Sequence, residues 1–255
     1  MRYHGGKSRL GSNISEIILQ VIDSYEILGY IEPFCGMCGV MSHVAVKSDL
    51  FQYFAFDNNV SVIKMWKELQ TGWEPDIIKF DEDRFNLLKG NGESTAEKGF
   101  FGHAMTFGAL YFQVFRPELK RLLQFSKDDV LKRIHNMKDV TFLDGDYKQT
   151  LHYNLKNYVI YCDPPYKRRS RYYDENNKKI DFDSDEFWKT CDKLSTNNVI
   201  VISEHEDFLE SKCKNYTGTF NILKLPSRFN TFGKTSQKSG EFVCIITRLI
   251  KSIEP

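Results

Sequence analysis

The sequence predicts an α/β fold in which a doubly wound sheet is interrupted by a helical insertion. Three observations carry that prediction. Residues 29–57 run strand, glycine turn, helix, strand and acid, the opening of a doubly wound sheet. Strand-like runs resume at 140–143, 158–162, 198–203 and 241–248. Between them, residues 61–138 turn mostly helical in pattern, with a polar break at 90–94 and an aromatic-rich stretch at 100–108.

Each element follows from local chemistry. Apolar residues at helical spacing from Ile14 to Leu28 predict a first helix. Residues 29–34 read as a strand entering a glycine turn, and 40–46 as the helix after it. Residues 51–56 form a second strand that ends in Asp57-Asn58-Asn59. The β-rich apolar run ending at Cys162 meets Pro164 and Pro165, which cannot continue a ladder, so the chain must leave the sheet there.

Composition sets limits on function. Hydrophobic residues make up 41% of the 255 residues, enough for a proper core. The 35 basic and 34 acidic residues nearly cancel, so no global field announces a polyanionic partner, although a local basic stripe suffices for nucleic acid. No secretory segment or membrane span is visible, and the scattered cysteines (35, 38, 162, 191, 213, 244) read as reduced, buried thiols. Cys35-x-x-Cys38 has no second pair to complete a metal site, so no metal is expected.

The sequence offers three chemical constellations. In Glu32-Pro33-Phe34-Cys35-Gly36-Met37-Cys38-Gly39, glycine after a strand lets backbone approach a ligand. Asp57 follows Gly36 by about twenty residues, the usual separation for an acid that accepts ribose hydroxyls, and it is equally a good turn former. Gly5-Gly6-Lys7-Ser8 lacks the preceding strand and glycine of a phosphate loop, leaving a glycine arm with one cation. Finally, Asp163-Pro164-Pro165-Tyr166 places a carboxylate, a stiff carbonyl-bearing turn and a ring at a strand's carboxyl end. An exocyclic amine on a flat ring is a poor nucleophile because its lone pair is delocalised. Asp163 and the Pro164 carbonyl can accept its two N–H bonds while Tyr166 stacks on the ring.

With these residues in place, the chain resembles the DNA adenine-N6 methyltransferases of the Dam (D12) class. The resemblance comprises Tyr3 to Lys7, Glu-Pro-Phe-x-Gly at 32–36, Asp57, Gly-Asp-Tyr at 145–147, Asp-Pro-Pro-Tyr at 163–166, Ser-x-His at 203–205 and the Glu-led strand from Glu241. It implies a Rossmann-like sheet that uses S-adenosylmethionine as methyl donor, with a helical target-recognition insert at 62–138 and a catalytic domain from 1–61 and 139–255. By position, Tyr3, Lys7, Phe34, Gly36, Asp57 and Asp163 would hold the donor, with Asp146 and Tyr147 at its adenine end. Asp163, Pro164, Pro165 and Tyr166 would hold the target base. Two departures stand out: Cys38 where the family has its second glycine, and Tyr3 where it commonly has Trp.

The implied partner is double-stranded DNA, with no membrane, and the target base must be flipped out to reach the pocket. Lys167, Arg168, Arg169 and Arg171 directly follow the Asp-Pro-Pro-Tyr turn and suit phosphate contact. Arg116, Lys120 and Arg121 are further phosphate binders if they share a helix face. The rings between Phe100 and Phe115 read as insert core. Arg228, Asn230 and Lys234 lie in a polar loop that can also touch DNA. Cytosine-N4 transfer and a non-catalytic DNA-binding module are the standing alternatives.

Overall fold

Among the described residues, seven strands form one mixed sheet: β1 Gly29–Glu32, β2 Gln52–Asp57, β3 Val140–Asp144, β4 Tyr158–Cys162, β5 Val199–Glu204, β6 Thr219–Lys224 and β7 Phe242–Thr247. The computed structural model describes Met1, Tyr3 and residues 6–166, 181–225 and 241–251. The strand order is β3-β2-β1-β4-β5-β7-β6. The first five strands pair in parallel, and β7 runs antiparallel between β5 and β6. The order reverses direction at β1, which pairs with β2 on one side and β4 on the other. That switch point is where an open α/β sheet binds its ligand. The expected Rossmann-like α/β sheet is therefore present.

Among the described residues, eight α-helices accompany the sheet: α1 Gly11–Ser24, α2 Met41–Lys47, α3 Val60–Gln70, α4 Glu82–Gly90, α5 Ala96–Ala104, α6 Leu123–His135, α7 Ser184–Leu194 and α8 Glu206–Cys213. Side-chain alternation along the strands divides the core in two. Val159 and Tyr161 of β4 join Ile14, Ile18, Val44 and Trp66 on one face. Ile160 and Cys162 join Phe187, Trp188 and Leu209 on the other. All six cysteines are buried and free. No helix among the described residues is long and apolar enough to cross a membrane.

The segment between β2 and β3 is helical, as its pattern predicts, and it shares the first apolar face with the sheet. Trp66 of α3 stacks on Phe142 of β3 at 5.9 Å, and its indole N–H donates to the Gly36 carbonyl at 2.9 Å. α5 crosses α3 at Gly99, where an added Cβ would lie 2.2 Å from the Ser61 carbonyl oxygen. Phe100, Phe101 and Phe112 are buried in this layer, as expected, whereas Phe107 is 64% exposed.

Three local expectations are corrected. The first helix ends at Ser24 rather than running to Leu28. The Leu28 amide instead donates to the Asn157 carbonyl, so the sheet ladder claims it before β1 begins. Arg116, Lys120 and Arg121 do not share an α-helical face. Pro117 keeps the residue before it out of the helical region, and a 3-10 turn spans Pro117–Leu122. Edge strand β6 was not anticipated. It is largely exposed, so it carries no buried alternation for a reader to find.

Trp66→Phe keeps an aromatic ring against Phe142 but leaves the Gly36 carbonyl without its donor. The expected loss is about 1–3 kcal/mol of unfolding free energy, read as a lower urea midpoint at unchanged slope.

Candidate active site at the carboxyl edge of the sheet

Parallel pairing brings the carboxyl ends of β1, β2 and β4 together, and a cavity of about 240 Å³ opens there. Tyr3, Lys7, Phe34, Gly36, Asp57, Asp146, Tyr147 and Asp163 all line it, and so does Pro165. The sequence had assigned the first eight of these to a donor and Pro165 to the target base. Pro164 and Tyr166 are buried beside it.

The first glycine turn is built around Asp57. One carboxylate oxygen accepts the Gly36 amide at 2.9 Å, and the other accepts the Asn59 amide at 2.9 Å. Each oxygen keeps a second lone pair for a hydroxyl. Burial pushes the Asp57 carboxyl pKa up, against those two bonds. Gly36 has φ +45, and a Cβ there would lie 2.8 Å from the Tyr3 ring, so glycine is needed both for the turn and for the arm above it. Cys38 adopts φ 50, a left-handed backbone that favours glycine. Gly39 supplies the close approach instead, since a Cβ there would come within 3.1 Å of the Ser8 amide.

One end of the cavity is aromatic. Phe34 stacks on Tyr147 at 5.4 Å, and Phe182 and Phe187 pack edgewise on Phe34. Asp146 caps the 3-10 turn Tyr147–Tyr153 by accepting the Lys148 amide at 2.9 Å.

The other end is ionic. Lys7 Nζ donates to Asp163 Oδ1 at 2.5 Å, lies 3.5 Å from Glu241 Oε1, and sits 4.7 Å from the centre of the Tyr166 ring. The Tyr166 hydroxyl donates to Glu241, and His205 packs edgewise on the same ring at 5.2 Å. Asp163 is pushed up to about 6, first by burial. The Lys7 ammonium opposes that shift, and the Glu241 charge adds to it. Glu32, 2% exposed on β1, is pushed up to about 8 by burial. The Tyr30 hydroxyl at 2.7 Å opposes this rise, and the charge on Asp163 adds to it.

Sequence reasoning left Glu32, Glu241, Tyr161 and His103 without roles, yet Glu32, Tyr161 and His103 line the cavity and Glu241 closes the ionic cluster. The available signals were an acid inside a wholly buried strand and another heading an apolar one. His103 carries no such signal. It reaches the cavity because α5 lays it against Tyr3 at 4.5 Å. Arg116 lies over the Phe107 ring, and Lys120 and Arg121 are exposed, none of them at the cavity. Lys167, Arg168, Arg169 and Arg171 lie outside the described residues, as do Arg228, Asn230 and Lys234.

Residues 110–230, which contain Asp163 to Tyr166, match the family model of the D12 class N6 adenine-specific DNA methyltransferases. That stretch is similar to the D12 class and spans just under half of the chain. It is also 22% identical to the Type II methyltransferase M.MjaIII of Methanocaldococcus jannaschii, over 89% of this chain and 90% of that protein. Among solved structures, one described as a class I S-adenosylmethionine-dependent methyltransferase from Listeria monocytogenes superposes with a TM-score of 0.46 at 13% identity. The match covers 98% of this chain and 62% of the other. The M protein of the type I restriction enzyme EcoKI gives 0.35 at 12% identity, covering 86% of this chain and 39% of the other. The fold assignment rests on the strand order itself. The sequence-based recognition of an adenine-specific DNA methyltransferase is thereby borne out.

In the free protein the Asp163 carboxyl should titrate near pH 6, and Lys7→Met should raise that value because the opposing ammonium is gone. Carboxyl carbon-13 NMR across pH 4 to 8, about two units either side, reads both shifts.

Proposed function

We propose that this chain binds S-adenosylmethionine in the edge cavity and methylates N6 of an adenine flipped out of double-stranded DNA. The observation that carries the proposal is that Asp163, at the end of β4, opens onto the same cavity as the Gly36 turn and Asp57. The residues present fit such a donor. Phe34 and Tyr147 offer ring faces for its adenine, and Asp57 keeps lone pairs for ribose hydroxyls. Gly36 and Gly39 keep the turn free of side chains. When bound, the donor supplies a methyl group activated by the adjacent sulfonium.

The chain's own groups then act on the acceptor. The Asp163 carboxylate and the Pro164 carbonyl accept the two N–H bonds of the target amine. They draw the nitrogen towards tetrahedral geometry and stabilise the positive charge that develops on it. Tyr166 presents a ring face to the base, a contact worth about 1–3 kcal/mol. Asp163 must be ionised for this, so kcat/KM should fall as pH drops through about 6.

Residues 62–138 serve as the target-recognition domain in this reading, with residues 1–61 and 139–255 forming the catalytic domain. Lys120 and Arg121, exposed on the 3-10 turn, and Arg116 before it contact phosphates. Lys167, Arg168, Arg169 and Arg171, which follow the Asp-Pro-Pro-Tyr turn in sequence, add to that contact. The enzyme works inside the cell, where DNA and donor are both present.

Asp163→Ala should abolish methyl transfer to mixed-sequence DNA while calorimetric affinity for S-adenosylmethionine stays within a few fold. Substantial remaining turnover would remove Asp163 from the chemistry. Asp57→Ala should weaken donor affinity by about tenfold or more, as loss of a charged hydrogen-bond acceptor implies. Single-molecule sequencing of the product reports the modified base, and N4-methylcytosine there would refute the adenine assignment. Neutralising Lys120 and Arg121 together should flatten the slope of log affinity against log salt by about 1–2, and an unaltered slope returns them to solvated surface.

A further inference from the structure

Lys7 sits where a target amine would have to go. Its ammonium holds Asp163 Oδ1 at 2.5 Å and covers the Tyr166 ring at 4.7 Å, so in this state the amine's carboxylate and ring are both engaged by a cation. An amine gaining positive charge on that carboxylate would be repelled by an ammonium on the same oxygen. The lysine stem is flexible and its three donors can rotate, so Nζ can move without the backbone of the arm moving. A second anion is already within reach. Glu241 Oε1 lies 3.5 Å from Nζ, its side chain is 24% exposed, and it also accepts the Tyr166 hydroxyl.

Resting on the adenine-N6 reading above, we propose that Glu241 is a positioning residue for methyl transfer. It anchors the Tyr166 ring through its hydroxyl and receives the Lys7 ammonium from Asp163 when the target amine arrives. The transfer of Lys7 keeps that cation paired throughout, and it frees Asp163 for the amine without exposing a buried charge. Two carboxylates and one ammonium then become two carboxylates and two cationic groups only as the amine reacts. The charge of the site is therefore balanced in the transition state rather than before it.

The variants separate charge from shape. Glu241→Gln keeps an acceptor for the Tyr166 hydroxyl but gives Lys7 no second anion. It should lower kcat by about tenfold or more, given the strength of paired charges at this range, with KM for the methyl donor unchanged. A pH profile adds a readout that a purely structural residue would not move. Asp163 is faced by Lys7 from the arm, Glu241 from the approach to β7, Glu32 from β1, and the Tyr161 and Tyr166 hydroxyls, with His205 edging Tyr166. Removing the Glu241 charge lowers the Asp163 pKa, so the acid limb of kcat/KM should move to lower pH. Tyr166→Phe removes a hydroxyl that bonds the carboxylate, so its limb should move to higher pH. Wild-type kcat in Glu241→Gln, or an unmoved limb, overturns the proposal. If Glu241→Gln does not fold, Glu241→Asp decides: it keeps the charge but draws it back from Lys7 and the Tyr166 hydroxyl, so kcat should still fall, and wild-type kcat again overturns the proposal. Failure of the wild-type chain to methylate any DNA would instead refute the underlying reading.

Discussion

Parallel pairing of β1 with both β2 and β4 forces three acids, Glu32, Asp57 and Asp163, onto one buried edge, and the site is the set of solutions to that crowding. Three ionised carboxylates in such a place would be costly, since burial removes their water and each raises the others. Each acid is handled differently. Glu32 is pushed to about 8 and so carries its proton at neutral pH. Asp57 is held by two backbone N–H groups, which oppose the upward push of burial and shape the glycine turn. Asp163 keeps its charge by borrowing a cation from the arm. Of the three, only the Asp163 arrangement rests on a flexible side chain that a ligand could displace, which is why the proposed chemistry is placed there.

The helical segment is tied into this edge rather than set apart from it. Arg133 of α6 donates to the Met37 carbonyl at 2.6 Å and to the Ser8 hydroxyl at 3.1 Å, so one guanidinium braces the glycine turn and the arm together. Trp66 holds the same turn from the other side through Gly36. The segment proposed to read DNA sequence is thus in direct contact with the backbone proposed to cradle the methyl donor.

Much of this was legible in the sequence because it is encoded locally. Strand-glycine-helix-strand-acid order, the proline stop after Cys162 and the run to Asp57 are short-range patterns, and each held. The resemblance of the arm and the Asp-Pro-Pro-Tyr turn to one family named the residues that now line one cavity. What escaped was set by distant partners. Glu241 gains its meaning from Lys7 and Tyr166, and His103 from Tyr3, and no periodicity records such pairings. β6 escaped because an exposed edge strand needs only β7 to define it. The basic trio at 116–121 misled because four-residue spacing signals a helix face only if the backbone is α-helical there, which Pro117 prevents.

The Lys7–Asp163 pair spans 156 positions, and its neighbour Glu241 lies beyond even that. During synthesis the arm therefore emerges 156 residues ahead of Asp163, and further still ahead of Glu241, and waits for both. Contacts of such long separation form late, after the local helices and most of the sheet. A newly made chain can thus be largely folded and still inert, with competence arriving in a final docking step. Ribosome-bound chains halted before Glu241 would have their glycine turn but not their ionic cluster, which sets the order in which this protein becomes an enzyme.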